Sequence, residues 1–363
     1  MIVSVVYFIL YFTLFLVLLG LLLLNRKRYT YSPVQLPNIS ILIAARNEEH
    51  TILRCLAAIE ALDYPKDKIE VLIGNDGSTD RTQEVITTFS EGKPNYTCIT
   101  ITQTIGHLKG KQNVLAQLTR LATSNYFFYT DADIAVPPAW AKAMLGALKD
   151  KVGVVTGITT TQQHNLFGKL QALDWLYSLG LMQVVSDLNL PVTTMGNNML
   201  LRREAYEEVG GFENVPFSIT EDIAIFNKIL EKGWGFRNVY SKDVFAMSTP
   251  ATSAWQLLHQ RKRWMRGAMH LPLYMTIILI LHSAYYPVLL PFVFYTSVGT
   301  VLAIFAFKLV LQSLYLRICL RRVQQSVPLW LYFLFEVYLV ISSIVLLVFF
   351  FLPVKTNWKG RKY

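Results

Sequence analysis

The chain has 363 residues and a formal net charge of +10, from 34 Lys and Arg against 24 Asp and Glu. Hydrophobic residues make up 53% of it and charged residues 16%, against about 25% charged in an ordinary soluble domain. This argues against a purely soluble protein and, because disorder needs low hydrophobicity, against a disordered one.

The surplus charge is not a face for nucleic acid. Residues 1–24 and 268–307 carry no charged side chain, and 323–354 carry only Glu336. Arg26, Lys27 and Arg28 contribute +3, and residues from 268 onward contribute +7. The span 29–267 holds 23 basic and 23 acidic residues and is neutral. Excess charge flanking apolar runs is the pattern of membrane anchoring. The expected partner is therefore the lipid bilayer, with no nucleic acid.

Met1–Leu24 is long enough to cross a bilayer, which takes about 20 apolar residues. No basic residue precedes it and Arg26, Lys27 and Arg28 follow it. That order predicts an uncleaved anchor with its C-terminal side in the cytoplasm rather than a signal peptide. Cys55, Cys98 and Cys319 are odd in number and lack CxxC spacing, so they indicate neither a disulfide framework nor a zinc site.

Alternating strands and helices follow. ISILIA (39–44) reads as a strand, and 48–62 as a helix with Ile52, Leu56 and Ile59 on one face. IEVLI (69–73) is a second strand, closed by Gly74, Asn75, Asp76 and Gly77. Helix is expected over 79–89, strand over 96–102, helix over 113–123 and a buried strand at YFFY (126–129). This alternation predicts a Rossmann-like, mostly parallel sheet covered by helices on both faces. Ligands of such sheets bind beyond the carboxyl ends of the strands.

The polar clusters sit where those strands stop. Asp131 and Asp133 follow YFFY directly. Two carboxylates at one strand end can turn toward one Mg²⁺ or Mn²⁺ shared with substrate phosphates. Asp76 can meet a base or sugar edge, or can close an Asx turn. Lys109, Gly110 and Lys111 precede a helix, where they can meet phosphate oxygens. The spacing is not that of a P-loop, and no GxGxxG follows a strand. Glu221 and Asp222 open the apolar-periodic stretch 223–230. They can serve as helix-start acids, or supply a general base. Gln260, Arg263 and Trp264 share one helical face, suited to holding a sugar and a phosphate, although Arg261, Lys262 and Trp264 would also suit a membrane edge.

Two C-terminal crossings, about 286–307 and 328–352, keep residue 267 and the basic tail on one side, with 271–283 in the interface; the alternative splits the apolar run 271–316 into two spans, which keeps Arg317, Arg321 and Arg322 inside but exports the tail. The expected organisation is an anchor (1–24), a cytoplasmic domain (29–267), a C-terminal membrane region (268–354) and a basic cytoplasmic tail (355–363).

In sequence, ISILIAARNEE, GNDGSTD, LKGK, TDAD, TED and QRKRW run from residue 39 to 264. This succession resembles the family 2 glycosyltransferases of GT-A fold over most of 37–267. Gln260, Arg263 and Trp264 narrow the resemblance to the membrane-integrated branch that holds ceramide glucosyltransferases and the cellulose, chitin and hyaluronan synthases. It implies that Ala44, Arg46 and Glu48 line the donor and that Asp76 contacts uracil or its ribose. Lys111 would face the nucleotide, and Asp131 and Asp133 would hold Mg²⁺ or Mn²⁺ at the diphosphate. Asp222 would be the catalytic base, with Glu221 beside it. Gln260, Arg263 and Trp264 would close over donor and acceptor. Gly196 to Arg203 and Val209 to Phe212 match the stretch before the acceptor-side acid. Trp358 to Arg361 matches a tail element of some relatives. The implied reaction is an inverting transfer from a nucleotide-diphospho-sugar, a UDP-sugar by the resemblance, to a membrane lipid hydroxyl. The alternatives are a processive polysaccharide synthase and an inactive scaffold or nucleotide-sugar sensor.

Overall fold

The computed structural model describes residues 1–25, 27, 29, 36–269, 271–354, 357, 358, 361 and 362. Arg26, Arg28, Lys355, Lys359 and Gly360 lie outside the described residues.

Helix α1 (Ile2–Leu24) leads to β1 (Ile39–Ala45), α2 (Ile52–Glu60), β2 (Ile69–Asn75), α3 (Thr82–Ser90) and β3 (Tyr96–Thr100). Then come α4 (Gly110–Leu121), β4 (Tyr126–Asp131), α5 (Trp140–Ala147), β5 (Val152–Thr156) and β6 (Ile158–Thr161). The domain continues through α6 (Leu166–Asp187), β7 (Asn198–Arg202), α7 (Arg203–Glu208), α8 (Glu221–Glu231), β8 (Gly235–Asn238), β9 (Phe245–Ser248) and α9 (Ala254–Ala268). Every element expected up to residue 129 is present, with shifted ends. The helix expected from residue 48 starts at Ile52, because Glu48 and Thr51 are held in a turn: the Thr51 hydroxyl donates to the Glu48 carboxylate at 2.6 Å.

Seven strands form one sheet in the order β3-β2-β1-β4-β7-β5-β8. All pairings are parallel except those of β7, which runs antiparallel to β4 and β5. Side chains of a strand alternate between faces, and the core divides accordingly. Ile39, Ile41, Ile43 and Phe128 enter one cluster, whereas Leu42, Phe127 and Tyr129 enter the other. The first cluster continues into Phe8, Tyr11 and Phe15 of α1 through Leu176 and Leu179 of α6. The chain leaves β1 toward β2 and β3, then returns to the other side of β1 as β4. The crevice at such a reversal is where open α/β sheets bind ligands.

The C-terminal region corrects one expectation. Residues 286–307 are not one helix. After α10 (Leu273–Ser283), α11 (Tyr285–Phe292) stops before α12 (Val298–Arg322) begins. Pro291 lies inside the last turn of α11 and lacks the N–H needed to continue the ladder. With α13 (Leu329–Phe351), four helical stretches among the described residues are long and apolar enough to cross a membrane: 2–24, 273–292 (α10 and α11 taken together), 298–322 and 329–351. Lys308 and Glu336, the charges within the apolar runs, pair with each other in the interior, and Gln312 donates to Glu336 at 2.6 Å. The tail forms β10 (Asn357–Trp358) and β11 (Arg361–Lys362), with Trp358 opposite Arg361.

Candidate active site

The strand reversal brings the expected residues together. Ala44 of β1 is the register partner of Asp131 of β4, and Ala45 that of Asn75 of β2. The loops after β1 and β2 are laced to each other. Asn47 adopts φ 52° and accepts from the Thr79 N–H at 2.8 Å, while its own N–H donates to Ser78 Oγ at 3.1 Å. Asn tolerates this left-handed conformation better than most residues. The Glu48 N–H donates to Thr82 Oγ1 at 2.7 Å, and the Arg46 guanidinium donates to the carbonyl of Asp76. The turn is closed by Asn75, whose Oδ1 accepts from the Ser78 N–H at 3.1 Å. Asp76 thus lines the cleft instead of closing the turn.

Asp131 and Asp133 stand at the end of β4. Asp133 Oδ2 accepts from the Ser248 hydroxyl at 2.7 Å. The Lys111 ammonium lies 2.5 Å from Asp131 Oδ1 and 3.1 Å from Glu221 Oε1. Gly110, at φ 55°, opens α4, and Lys111 in its first turn reaches Asp131 at the end of β4. Burial works to lower the Lys111 pKa, but the carboxylates of Asp131 and Glu221 outweigh it and hold the ammonium well above its ordinary value. Burial raises the Glu221 carboxyl, against the pull of Lys111.

Asp222 is held differently. Its Oδ2 accepts from the Gly196 N–H at 2.6 Å and its Oδ1 from the Ile223 N–H at 2.9 Å. A side chain at 196 would meet Asp222 Cβ at 2.7 Å, so only glycine permits this approach. Gln112 anchors the preceding loop: its Oε1 accepts from the Ser218 N–H at 3.4 Å and its amide donates to the Val215 carbonyl at 3.3 Å.

Helix α9 brings Gln260, Arg263 and Trp264 to the same cleft. Burial lowers the Arg263 pKa, opposed in turn by Glu221, Asp131, Asp222 and Asp133. Two residues unforeseen from sequence seat this helix. Asp174 of α6 pairs with Arg261 at 2.5 Å, and Trp175 meets Trp264 edge-on at 4.7 Å. Arg261 also lies over the Trp264 ring at 4.7 Å. Arg261 is thus an internal tie, not a membrane-edge anchor. The one signal for Asp174 in the sequence is its solitude as the lone acid between Leu170 and Val185.

The cleft has a volume of about 1350 Å³ and is lined by all of Ala44, Arg46, Glu48, Asp76, Lys111, Asp131, Asp133, Asp222, Gln260, Arg263 and Trp264. Leu179, Met182, Leu271 and Leu346 line it as well. Asp131 and Asp133 present hard oxygen donors suited to Mg²⁺ or Mn²⁺. Asp131 Oδ1 is buried, and the Lys111 ammonium 2.5 Å away already holds a cation against it. Among the described residues no group of three His, Cys, Asp or Glu could hold a metal, so substrate oxygens and water would complete the shell. The donor set fits on those terms.

The sequence profile of Glycosyl transferase family 21 matches residues 5–363. The chain belongs to Glycosyl transferase family 21. The motifs had pointed to family 2, and the matching profile is that of family 21. The chain is 26% identical over 259 residues to the probable glycosyltransferase YdaM of Bacillus subtilis strain 168, covering 69% of this chain and 59% of that one. It is 30% identical over 237 residues to poly-β-1,6-N-acetyl-D-glucosamine synthase of Staphylococcus aureus strain COL, covering 64% and 55%. It thus spans a little over half the length of these curated relatives. The mannosyltransferase PcManGT from Pyrobaculum calidifontis, solved in complex with GDP-Man and Mn²⁺, superposes with a TM-score of 0.59 over 87% of this chain and 96% of that one. At 19% identity this likeness speaks for the fold, a GT-A-like α/β domain.

Proposed function

We propose that this family 21 glycosyltransferase moves one sugar from a nucleotide-diphospho-sugar to the hydroxyl of a membrane lipid, as ceramide glucosyltransferases do, inverting the anomeric centre. The observation that carries the reading is one cleft with two kinds of lining. Carboxylates and cations stand at the ends of β1, β2 and β4, and Leu179, Met182, Leu271 and Leu346 supply apolar wall, the last from a helix apolar enough to span a membrane.

The nucleotide would lie along Ala44, Arg46, Glu48 and Asp76, with its diphosphate toward Lys111 and Arg263. Asp222, aimed by the Gly196 N–H, takes the proton of the acceptor hydroxyl as it attacks the anomeric carbon. The positive charges of Lys111 and Arg263 stabilise the departing diphosphate. Asp131 and Asp133 would hold Mg²⁺ or Mn²⁺, which supplies Lewis-acid neutralisation of that diphosphate when bound. Gln260 and Trp264 close over the sugar. A single displacement yields a β-linkage from an α-linked donor and requires no enzyme nucleophile.

The domain 29–267 lies in the cytoplasm on this reading. Support comes from the basic residues after α1 and from the neutral charge balance of the domain. A processive polysaccharide synthase is the second reading, favoured by the 30% identity to a poly-β-1,6-N-acetyl-D-glucosamine synthase.

Purified protein offered a panel of nucleotide sugars, Mn²⁺ or Mg²⁺ and total lipid extract, with mass spectrometry of products, tests both. A singly glycosylated lipid is expected. A high-molecular-weight polysaccharide would refute the lipid reading, and turnover unchanged in Asp222→Asn would refute the assigned base.

A further inference from the structure

Lys111 stands between two carboxylates that have different neighbours. Asp131 Oδ1, 2.5 Å away, belongs to the pair of acids at the end of β4. Glu221 Oε1, 3.1 Å away, belongs to α8 and is 7% exposed. An ammonium within contact of Asp131 occupies the position from which a divalent cation would approach that oxygen, and the two cations repel each other. A lysine has a flexible four-carbon stem, so it can leave one carboxylate while keeping the other.

We infer that Lys111 is a tethered cation that holds the place of the divalent ion at Asp131 until the nucleotide arrives, with Glu221 as its second mooring. The diphosphate brings oxygens that accept the ammonium, and Asp131 is released to the metal. Metal and nucleotide therefore bind with positive coupling, each raising the affinity of the other by the same factor. Glu221 acts as a positioning residue: it keeps the ammonium inside the site when Asp131 gives it up. The inference rests on the reading of this cleft as a nucleotide-diphospho-sugar site.

The test is Mn²⁺ titration of the purified full chain in detergent, followed by electron paramagnetic resonance, without nucleotide and with saturating UDP or, in a parallel arm, GDP. Lys111→Met should raise the donor-free Mn²⁺ affinity about ten-fold and shrink the coupling to nucleotide by a similar factor. Glu221→Gln should act in the opposite sense and weaken donor-free Mn²⁺ binding about three-fold, because Lys111 then rests on Asp131 alone. A general loss of structure would weaken binding in both variants, so the opposed signs are diagnostic. Mn²⁺ affinity in Lys111→Met equal to or below that of the unmodified protein would overturn the inference while leaving the donor-site reading intact. A protein that binds neither nucleotide, with or without Mn²⁺, would overturn both.

Discussion

Replacing Gly196 with alanine places a methyl group 2.7 Å from Asp222 Cβ and 3.0 Å from its Oδ2. The backbone at 196 is outside the left-handed region, so alanine is compatible with its conformation and the conflict is one of space. Restoring carbon contacts of about 3.5–4.0 Å moves the carboxylate by roughly 1 Å. The 2.6 Å hydrogen bond from the Gly196 N–H to Asp222 Oδ2 then lengthens or bends. A displacement of about 1 Å at a reacting group costs on the order of 100-fold in rate, equivalent to about 2.7 kcal/mol of barrier. Because Asp222 is assigned to the acceptor side, the loss should fall on kcat, with donor KM little changed. Initial-rate measurements of sugar transfer, paired with thermal unfolding in detergent, make the check. A kcat within about three-fold of the unmodified protein, at unchanged Tm, would refute the assignment of Asp222 as the group that Gly196 aims.

Asp222→Asn keeps the shape and removes the base, so kcat should fall by about 10²–10⁴, with nucleotide binding by calorimetry retained. Asp174→Ala strands the Arg261 guanidinium in a largely buried position; the expected cost is about 3 kcal/mol of stability. It would appear as a lower Tm, together with a lower kcat because Arg261 covers the Trp264 ring. Asp187, at the end of α6, has its carboxyl pushed up to about 6 by burial, against Gln183 and then Lys27, Arg322 and Arg237. A raised acid binds more protons in the folded state than in the unfolded one between the two pKa values, so stability falls as pH rises from about 4 to about 6. Asp187→Asn should flatten the Tm profile in that window, and an unchanged profile would refute the assignment.

Much of the candidate cleft was legible because its lining residues sit at strand ends. Asp131 after YFFY and Asp76 after IEVLI are read directly from where an apolar run stops, and parallel strands bring those ends side by side. The apolar period likewise placed α2, α3 and α4, missing their ends by a few residues where side chains such as Thr51 and Thr82 tie the entering turns. The membrane segments were legible as composition, but the position of the break between Phe292 and Val298 was not, since it falls inside the favoured crossing at 286–307.

Taken alone, the amino-acid order determined the class of the protein: a neutral α/β domain held between apolar segments whose flanks carry the surplus +10. Local chemistry suffices for this, because strand and helix periods, strand-end acids and charge-free runs are properties of neighbours along the chain. Only the tertiary structure decided which acid meets which partner. Glu221 and Asp222 are adjacent in sequence, yet one is buried against Lys111 and the other is gripped by the Gly196 N–H. It also turned Arg261 from a membrane-edge cation into the partner of Asp174. These pairings join residues 26 to more than 80 apart in the chain, and no local pattern encodes a pairing made only when α4, α6, α8 and α9 pack around one crevice.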